Sequence, residues 1–275
     1  MILKNNELTV TIDNLGAEAK SIIKNNVEYL WQADPLYWKR SSPVLFPIVG
    51  RLLDDEYIYN QKKYHMTQHG FARDNEFILI SYSETKVLYL LKENASTLKN
   101  YPFKFNLYIE YELIENQLIV TWTVQNTNSY DMYFQIGAHP AFNFLNGSIV
   151  EVNKQTNLYE LKGTPNINNI KKNIKVTVIP IDDTSFLNDA IIYDNIDEIT
   201  LKDNKKSITL KTKDFPYLGI WTKVIEGKNS PFICLEPWYG ISDFMDHDKQ
   251  LIHKIGIHKL KVNEIFKTSY TIVIN

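Results

Sequence analysis

The amino-acid sequence predicts an all-β protein, and its length favours a large, multi-sheet sandwich over a minimal one. Three observations carry this. Apolar residues alternate at period two in segment after segment. Turn chemistry rich in Asn separates those segments at short intervals. Long helical periodicity is scarce. A barrel would satisfy the same three observations.

The elements follow in order. Leu8-Thr9-Val10-Thr11-Ile12 alternates and runs into the turn sequence Asp13-Asn14-Leu15-Gly16. Strands are expected over 76–82 and 86–91. Segments 105–114 and 117–125 flank Glu115-Asn116, which predicts a hairpin. In its second arm Leu118, Val120, Trp122 and Val124 share one face, assigned to the core. Further strands are expected over 132–136, 174–179, 206–211, 218–221, 232–236 and 265–274, and a helical turn or two over 246–253. No Pro/Gly/Ser-rich linker divides the chain, and no repeat of roughly 20–50 residues is apparent. One domain over residues 1–275 is expected.

Composition narrows the class. A chain of 275 residues can bury a substantial core. With 44% hydrophobic and 23% charged residues, the balance is that of a globular protein and not of a disordered one. A net charge of −2 supplies no field to recruit nucleic acid or an anionic membrane. No apolar run approaches the roughly 18 residues of a bilayer span. The N-terminus lacks a signal-peptide core, so the expected location is cytoplasmic. Cys234 is the only cysteine, which rules out an intrachain disulfide and a zinc site built on paired cysteines. Of 30 basic residues only Arg40, Arg51 and Arg73 are arginine, all in one short segment. Arginine supplies a planar donor fork that lysine cannot copy; chance clustering is the alternative.

Three segments break the strand rhythm. The first runs Ser41-Ser42-Pro43-Val44-Leu45-Phe46-Pro47-Ile48-Val49-Gly50-Arg51 and resumes at Gln68-His69-Gly70-Phe71-Ala72-Arg73-Asp74. Its prolines argue for a defined, irregular path. Its glycines permit unusual backbone angles or close ligand approach beside Arg51 and His69. A structural loop with an Arg–Asp pair is an equally good reading of this segment alone. In the second, Gly137-Ala138-His139-Pro140-Ala141-Phe142, the proline favours an extended His139 at a strand end. An imidazole there can move protons near neutrality. From local sequence alone, a packed or surface histidine reads slightly better. The third, Phe232-Ile233-Cys234-Leu235-Glu236-Pro237-Trp238, is an apolar strand ending in a carboxylate. Such a carboxylate is paired or used, and poor solvation would raise its pKa. Function outranks a simple ion pair here, while Cys234 reads as a small buried hydrophobe.

Other signals are weak. His65 and His69 have an i, i+4 spacing but no helix to present it. No G-x-G-x-x-G, Walker A or G-x-S-x-G signature is present.

Taken together, Phe46–Leu52, Gln68–Asp74, Gly137–Phe142 and Cys234–Trp238 resemble, in order and spacing, the aldose 1-epimerase (mutarotase) superfamily, most closely its LacX-like branch. The resemblance implies a large antiparallel β-sandwich and an isomerase that needs no metal or organic cofactor. It makes Glu236 the general base at the anomeric hydroxyl and His139 the general acid at the ring oxygen. It places His69 on the ring-oxygen side and Arg51 on the sugar. Asp189, within Phe186-Leu187-Asn188-Asp189-Ala190, is the best candidate for the family's sugar-binding aspartate. Arg73, Phe142 and Trp238 complete the expected substrate contacts. The expected partner is a small-molecule sugar. An edge strand could also pair two copies into a homodimer. The sequence departs from galactose mutarotases after Gly50-Arg51, with Leu52-Leu53-Asp54-Asp55 in place of an Asn-Arg pair. It departs again with Phe71 after His69-Gly70. The resemblance therefore does not fix galactose as the sugar. A hexose 6-phosphate held by the arginines and a non-catalytic carbohydrate-binding protein are the alternative readings.

Overall fold

The computed structural model describes residues 1–162 and 165–275. Its largest unit is a 15-stranded sheet whose strand pairings are antiparallel. From edge to edge it carries Val44–Leu45, Ile136–Ala138, Ile233–Tyr239, Tyr217–Trp221, Ile191–Asp194, Ile149–Leu161, Glu198–Lys202, Ser207–Lys211, Ile265–Ile274, Gln117–Asn126, Phe105–Ile114, Lys86–Lys92 and Ile78–Tyr82. Ala141–Phe142 pairs with Ile233–Tyr239, and Ile167–Pro180 with Ile149–Leu161.

A four-stranded sheet of Ile2–Lys4, Thr9–Ile12, Ala19–Lys24 and Val27–Glu28 faces the large one. Its Leu3, Val10, Ile12 and Ile22 join Leu107, Ile109, Leu118 and Val120 in one buried cluster. Two apolar sheet faces closed on a shared core make the sandwich that the alternation predicted. The hairpin forms as expected, in unbroken register from Phe105↔Asn126 to Ile114↔Gln117. Leu118, Val120, Trp122 and Val124 are each at most 1% exposed.

Three expectations need adjustment. The strand expected over 132–136 is two strands, Met132–Phe134 and Ile136–Ala138. Gln135 separates them because its side chain turns inward, accepting from Val49 N (3.0 Å) and donating to Ile255 O (2.9 Å). The strand expected over 174–179 is the end of a longer one, Ile167–Pro180. Most of that strand is solvent-facing, so little apolar alternation marks it. The helical turn near 246–253 is a short 3₁₀ segment, Leu251–His253. One α-helix, Ala95–Asn100, went unread from the sequence. Asn94 caps it by accepting from Ser96 N and Thr97 N, and Thr97 Oγ1 accepts from Asn94 N in return.

Candidate active site

The site grows from two matching irregularities. The strand expected to end at Glu236 continues through Pro237 to Tyr239. A central strand tolerates proline only where the missing N–H has no partner to lose. Leu235 N donates to Pro140 O at 3.2 Å. Residues two apart point their N–H groups to the same side, so Pro237 also faces this neighbouring chain. There the neighbour leaves the ladder at His139-Pro140, between Ile136–Ala138 and Ala141–Phe142. The same break turns His139 out beside Glu236.

Alternation then sorts Ile233–Tyr239. Ile233 and Leu235 enter the main core, while Cys234 and Trp238 belong to smaller clusters on the opposite face. Glu236 shares that second face, 1% exposed. Its Oε2 lies 3.1 Å from His139 Nε2. Hydrogen-bond alignment is lacking there, and Oε2 has no partner. Burial, and then repulsion from Asp189, raises the Glu236 pKa well above the carboxylate range; the Trp238 indole opposes this. Burial, followed by the Arg73 charge, lowers His139 to about 3.

His69 is fixed by Gly50. His69 N donates to Gly50 O at 2.8 Å, and Gly50 N donates to His69 Nδ1 at 3.1 Å. An Nδ1 that accepts leaves the proton of a neutral ring on Nε2. Burial first, then Arg73, holds the ring neutral by lowering its pKa well below 6.5. Gly50 has φ +69°, and a Cβ there would sit 2.0 Å from Ser242 Oγ, so only glycine fits.

These groups open onto a cavity of about 380 Å³, within the ~300–1,000 Å³ range of small-molecule sites. Glu236, His139, His69, Asp189, Trp238 and Arg73 all line it. Asp189 has φ 75° and accepts from Ala190 N at 2.9 Å. It keeps solvent-accessible area, yet the surrounding protein raises its carboxyl pKa. Arg73 donates from Nη2 to Gln68 O at 2.7 Å, while its Nε makes no hydrogen bond and lies 3.9 Å from Asp74 Oδ2. Burial, and then neighbouring Arg40, lowers Arg73 to about 10.

Two expected contacts lie elsewhere. Arg51 does not line the cavity: its guanidinium forks onto Asp55, with Nε–Oδ1 and Nη2–Oδ2 both 2.7 Å. Its backbone holds the site instead, N donating to Ser242 Oγ and O accepting from Asp243 N. Phe142 is fully buried in the main core, opposite Ile233. Alternation gives the cavity-side layer to Ala141, which packs with Cys234.

The structure adds residues the sequence did not single out. Trp38 lies against the His139 ring (centroids 4.8 Å, 30° between planes), and Trp221 meets it edge-on at 5.3 Å. Lys39 and Ser242 also line the cavity. The arginine clustering was a partial signal, since Arg40 lies on the wall beside Trp38. Among the described residues, His139, Cys234 and Glu236 form the one group of three metal-type donors, their ligand atoms all within 4.8 Å of one another. Exposed His65 does not join His69 at the cavity.

Eight buried side-chain N or O atoms among the described residues have no hydrogen-bond partner, and four belong to cavity residues: Arg73, His139, Glu236 and Trp238. Orphaned polar atoms gathered at one cavity mark a place built for a polar ligand.

The antiparallel sandwich thus carries a buried His/Glu pair on the wall of a polar cavity. The chain belongs to the aldose 1-epimerase family, whose sequence profile matches residues 1–249. It is 35% identical to the plasmid and chromosomal LacX proteins of Lactococcus lactis subsp. lactis over 302 aligned positions, covering 99% of this chain and 98% of each relative. A galactose mutarotase related enzyme from Lactobacillus acidophilus superposes with a TM-score of 0.96 at 33% identity, covering 100% of this chain and 97% of the other. A galactose mutarotase-like protein from Lactobacillus casei does so with a TM-score of 0.94 at 30% identity, covering 100% and 99%. No helix among the described residues is long and apolar enough to cross a membrane.

Proposed function

We propose that the protein is an aldose 1-epimerase that interconverts the α and β anomers of a free aldohexose. The observation that carries this is the buried His139–Glu236 pair, 3.1 Å apart and shifted in opposite directions. Ring opening needs a base at the anomeric hydroxyl and an acid at the ring oxygen. In the empty cavity burial favours the neutral pair, so the proton rests on Glu236. A sugar hydroxyl donating to Glu236 and a ring oxygen accepting from His139 each favour the charged form. The proton then crosses to His139. Glu236 takes the O1 proton, His139 protonates the ring oxygen, and the ring opens. Rotation about C1–C2 and reclosure, with the two roles exchanged, give the other anomer. His69 Nε2–H is a fixed neutral donor for a sugar oxygen.

Polarimetry or exchange NMR on glucose and galactose tests this. Wild-type protein should accelerate mutarotation, and Glu236→Gln should lower kcat by roughly 10²–10⁴-fold with the fold intact. No acceleration across a broad aldose panel would leave only a sugar-binding protein.

One observation favours a second reading. Arg73 and Arg40 both line the cavity and share Asp74, at 3.9 and 2.7 Å; two guanidinium groups against one carboxylate leave positive charge that suits a phosphate. Glucose 6-phosphate binding far more tightly than glucose, and only with Arg73 present, would move the substrate to a hexose 6-phosphate.

A further inference from the structure

Cys234 has no part in the proton transfers proposed above, yet it lies at their centre. Cys234 and Glu236 are two residues apart on one strand and therefore share a face. His139 reaches the same point from the adjoining chain break. We propose that His139, Cys234 and Glu236 form an inhibitory site for a thiophilic divalent cation such as Zn²⁺, which enters through the sugar cavity and captures the proton-transfer pair.

The donor set suits such an ion. Nitrogen, carboxylate oxygen and thiolate sulfur are zinc's usual ligands, at about 2.0–2.2 Å for N and O and about 2.3 Å for S. A tetrahedron on those bonds has edges of roughly 3.3–3.7 Å. His139 Nε2 and Glu236 Oε2, 3.1 Å apart, already span close to one edge. All three ligand atoms lie within 4.8 Å of one another, so side-chain shifts of about an ångström close the set. Glu236 is 1% exposed and its Oε2 has no hydrogen bond to surrender. Charge also balances. The carboxylate and the thiolate neutralise the dication, and two protons, one from the Glu236 carboxyl and one from the Cys234 thiol, leave to solvent as the metal binds. This offsets the repulsion from Arg40 and Arg73. His139 and Glu236 line the cavity and Cys234 lies behind them, so an ion meets the pair first. Held by both, the ion comes within reach of the sulfur through the same side-chain shifts.

The consequence of binding rests on the epimerase reading, but binding itself does not. Purified full-length protein is titrated with CoCl₂ and then ZnCl₂, without sugar. One equivalent of Co²⁺ should produce a thiolate-to-cobalt charge-transfer band, which Zn²⁺ removes. Cys234→Ser should lack the band, bind Zn²⁺ at least about tenfold more weakly, and keep the metal-free mutarotation rate. Zn²⁺ should stop the wild-type reaction, with recovery in EDTA. If Cys234→Ser folds poorly, Glu236→Gln serves in its place, and it too should lose the band. No charge-transfer band in wild type, or equal Zn²⁺ affinity with and without the sulfur, overturns the site. A band in a protein that accelerates no mutarotation would instead uphold the site and remove the epimerase reading.

Discussion

Glu236 and His139 are pushed apart by one cause, the loss of water around both. A charge at either position must be justified by a partner, and on the proposed function a bound sugar would supply it. The same reasoning separates two arginines that look alike in sequence. Arg51 has 41% of its side chain exposed and spends its fork on Asp55. Such an exposed i, i+4 pair is worth only about 0.3–0.5 kcal/mol. Arg51→Ala should therefore leave sugar KM within about twofold of wild type. Arg73 has 16% of its side chain exposed, and its Nε stands 3.9 Å from Asp74 Oδ2 with no hydrogen bond of its own. Arg73→Ala should raise KM about 10–100-fold, the loss of one charge-assisted hydrogen bond. KM series by polarimetry separate the two, and the reverse order would remove Arg73 from the site. Of the side chains singled out from the sequence, His69, His139 and Glu236 line one cavity. Arg51 does not, because what that position contributes is backbone: an N–H for Ser242 and a carbonyl for Asp243. No side-chain argument exposes that.

At the scale of the element, the site depends on how strand Ile233–Tyr239 is flanked. On one side the chain breaks at His139-Pro140; on the other, strand Tyr217–Trp221 sets Gly219 opposite Glu236. The Trp238 indole lies across that glycine, and a Cβ there would come within 2.7 Å of its Cη2. Gly219→Ala should displace the indole beside Glu236. The expected cost is about 1–3 kcal/mol of stability from overpacking, with a raised sugar KM. Thermal melts and kinetics check both, and an unchanged melt would mean that the indole moves freely. The strands were legible where one face is wet and the other dry, as in Phe105–Ile114 and Gln117–Asn126. Legibility failed for Ile149–Leu161 with Ile167–Pro180, a long hairpin whose second strand buries few side chains. Phe142 failed differently: it was read as a ligand contact, but its neighbour Ala141 took the cavity-side face.

At the scale of the whole molecule, the buried titratable groups set how stability responds to pH. His69, His139 and His258 are lowered, each chiefly by burial. Each is neutral in the fold but takes a proton near pH 6.5 when unfolded. Their contribution is present above about pH 6.5 and is lost as pH falls, for His139 until about 3. Glu236 is raised and acts with the opposite sign: its contribution is complete below the ordinary carboxylate value and is lost as pH rises through its own. Between about pH 4.5 and 6.5 the unfolded chain therefore gains up to three histidine protons, while the fold holds up to two extra, on Glu236 and on Asp189, whose carboxyl burial also raises. The net difference favours the fold as pH rises, at about 1.4 kcal/mol per pH unit for each proton. Most carboxylates lowered in the fold, such as Asp55, titrate below this window and contribute little within it. The melting temperature should climb from pH 4.5 to 6.5. Glu236→Gln removes one opposing proton and should steepen the climb, while His139→Asn removes one histidine and should flatten it. Thermal melts of the three proteins in one buffer series decide the matter, and equal slopes would mean that neither residue is buried in the state assigned to it.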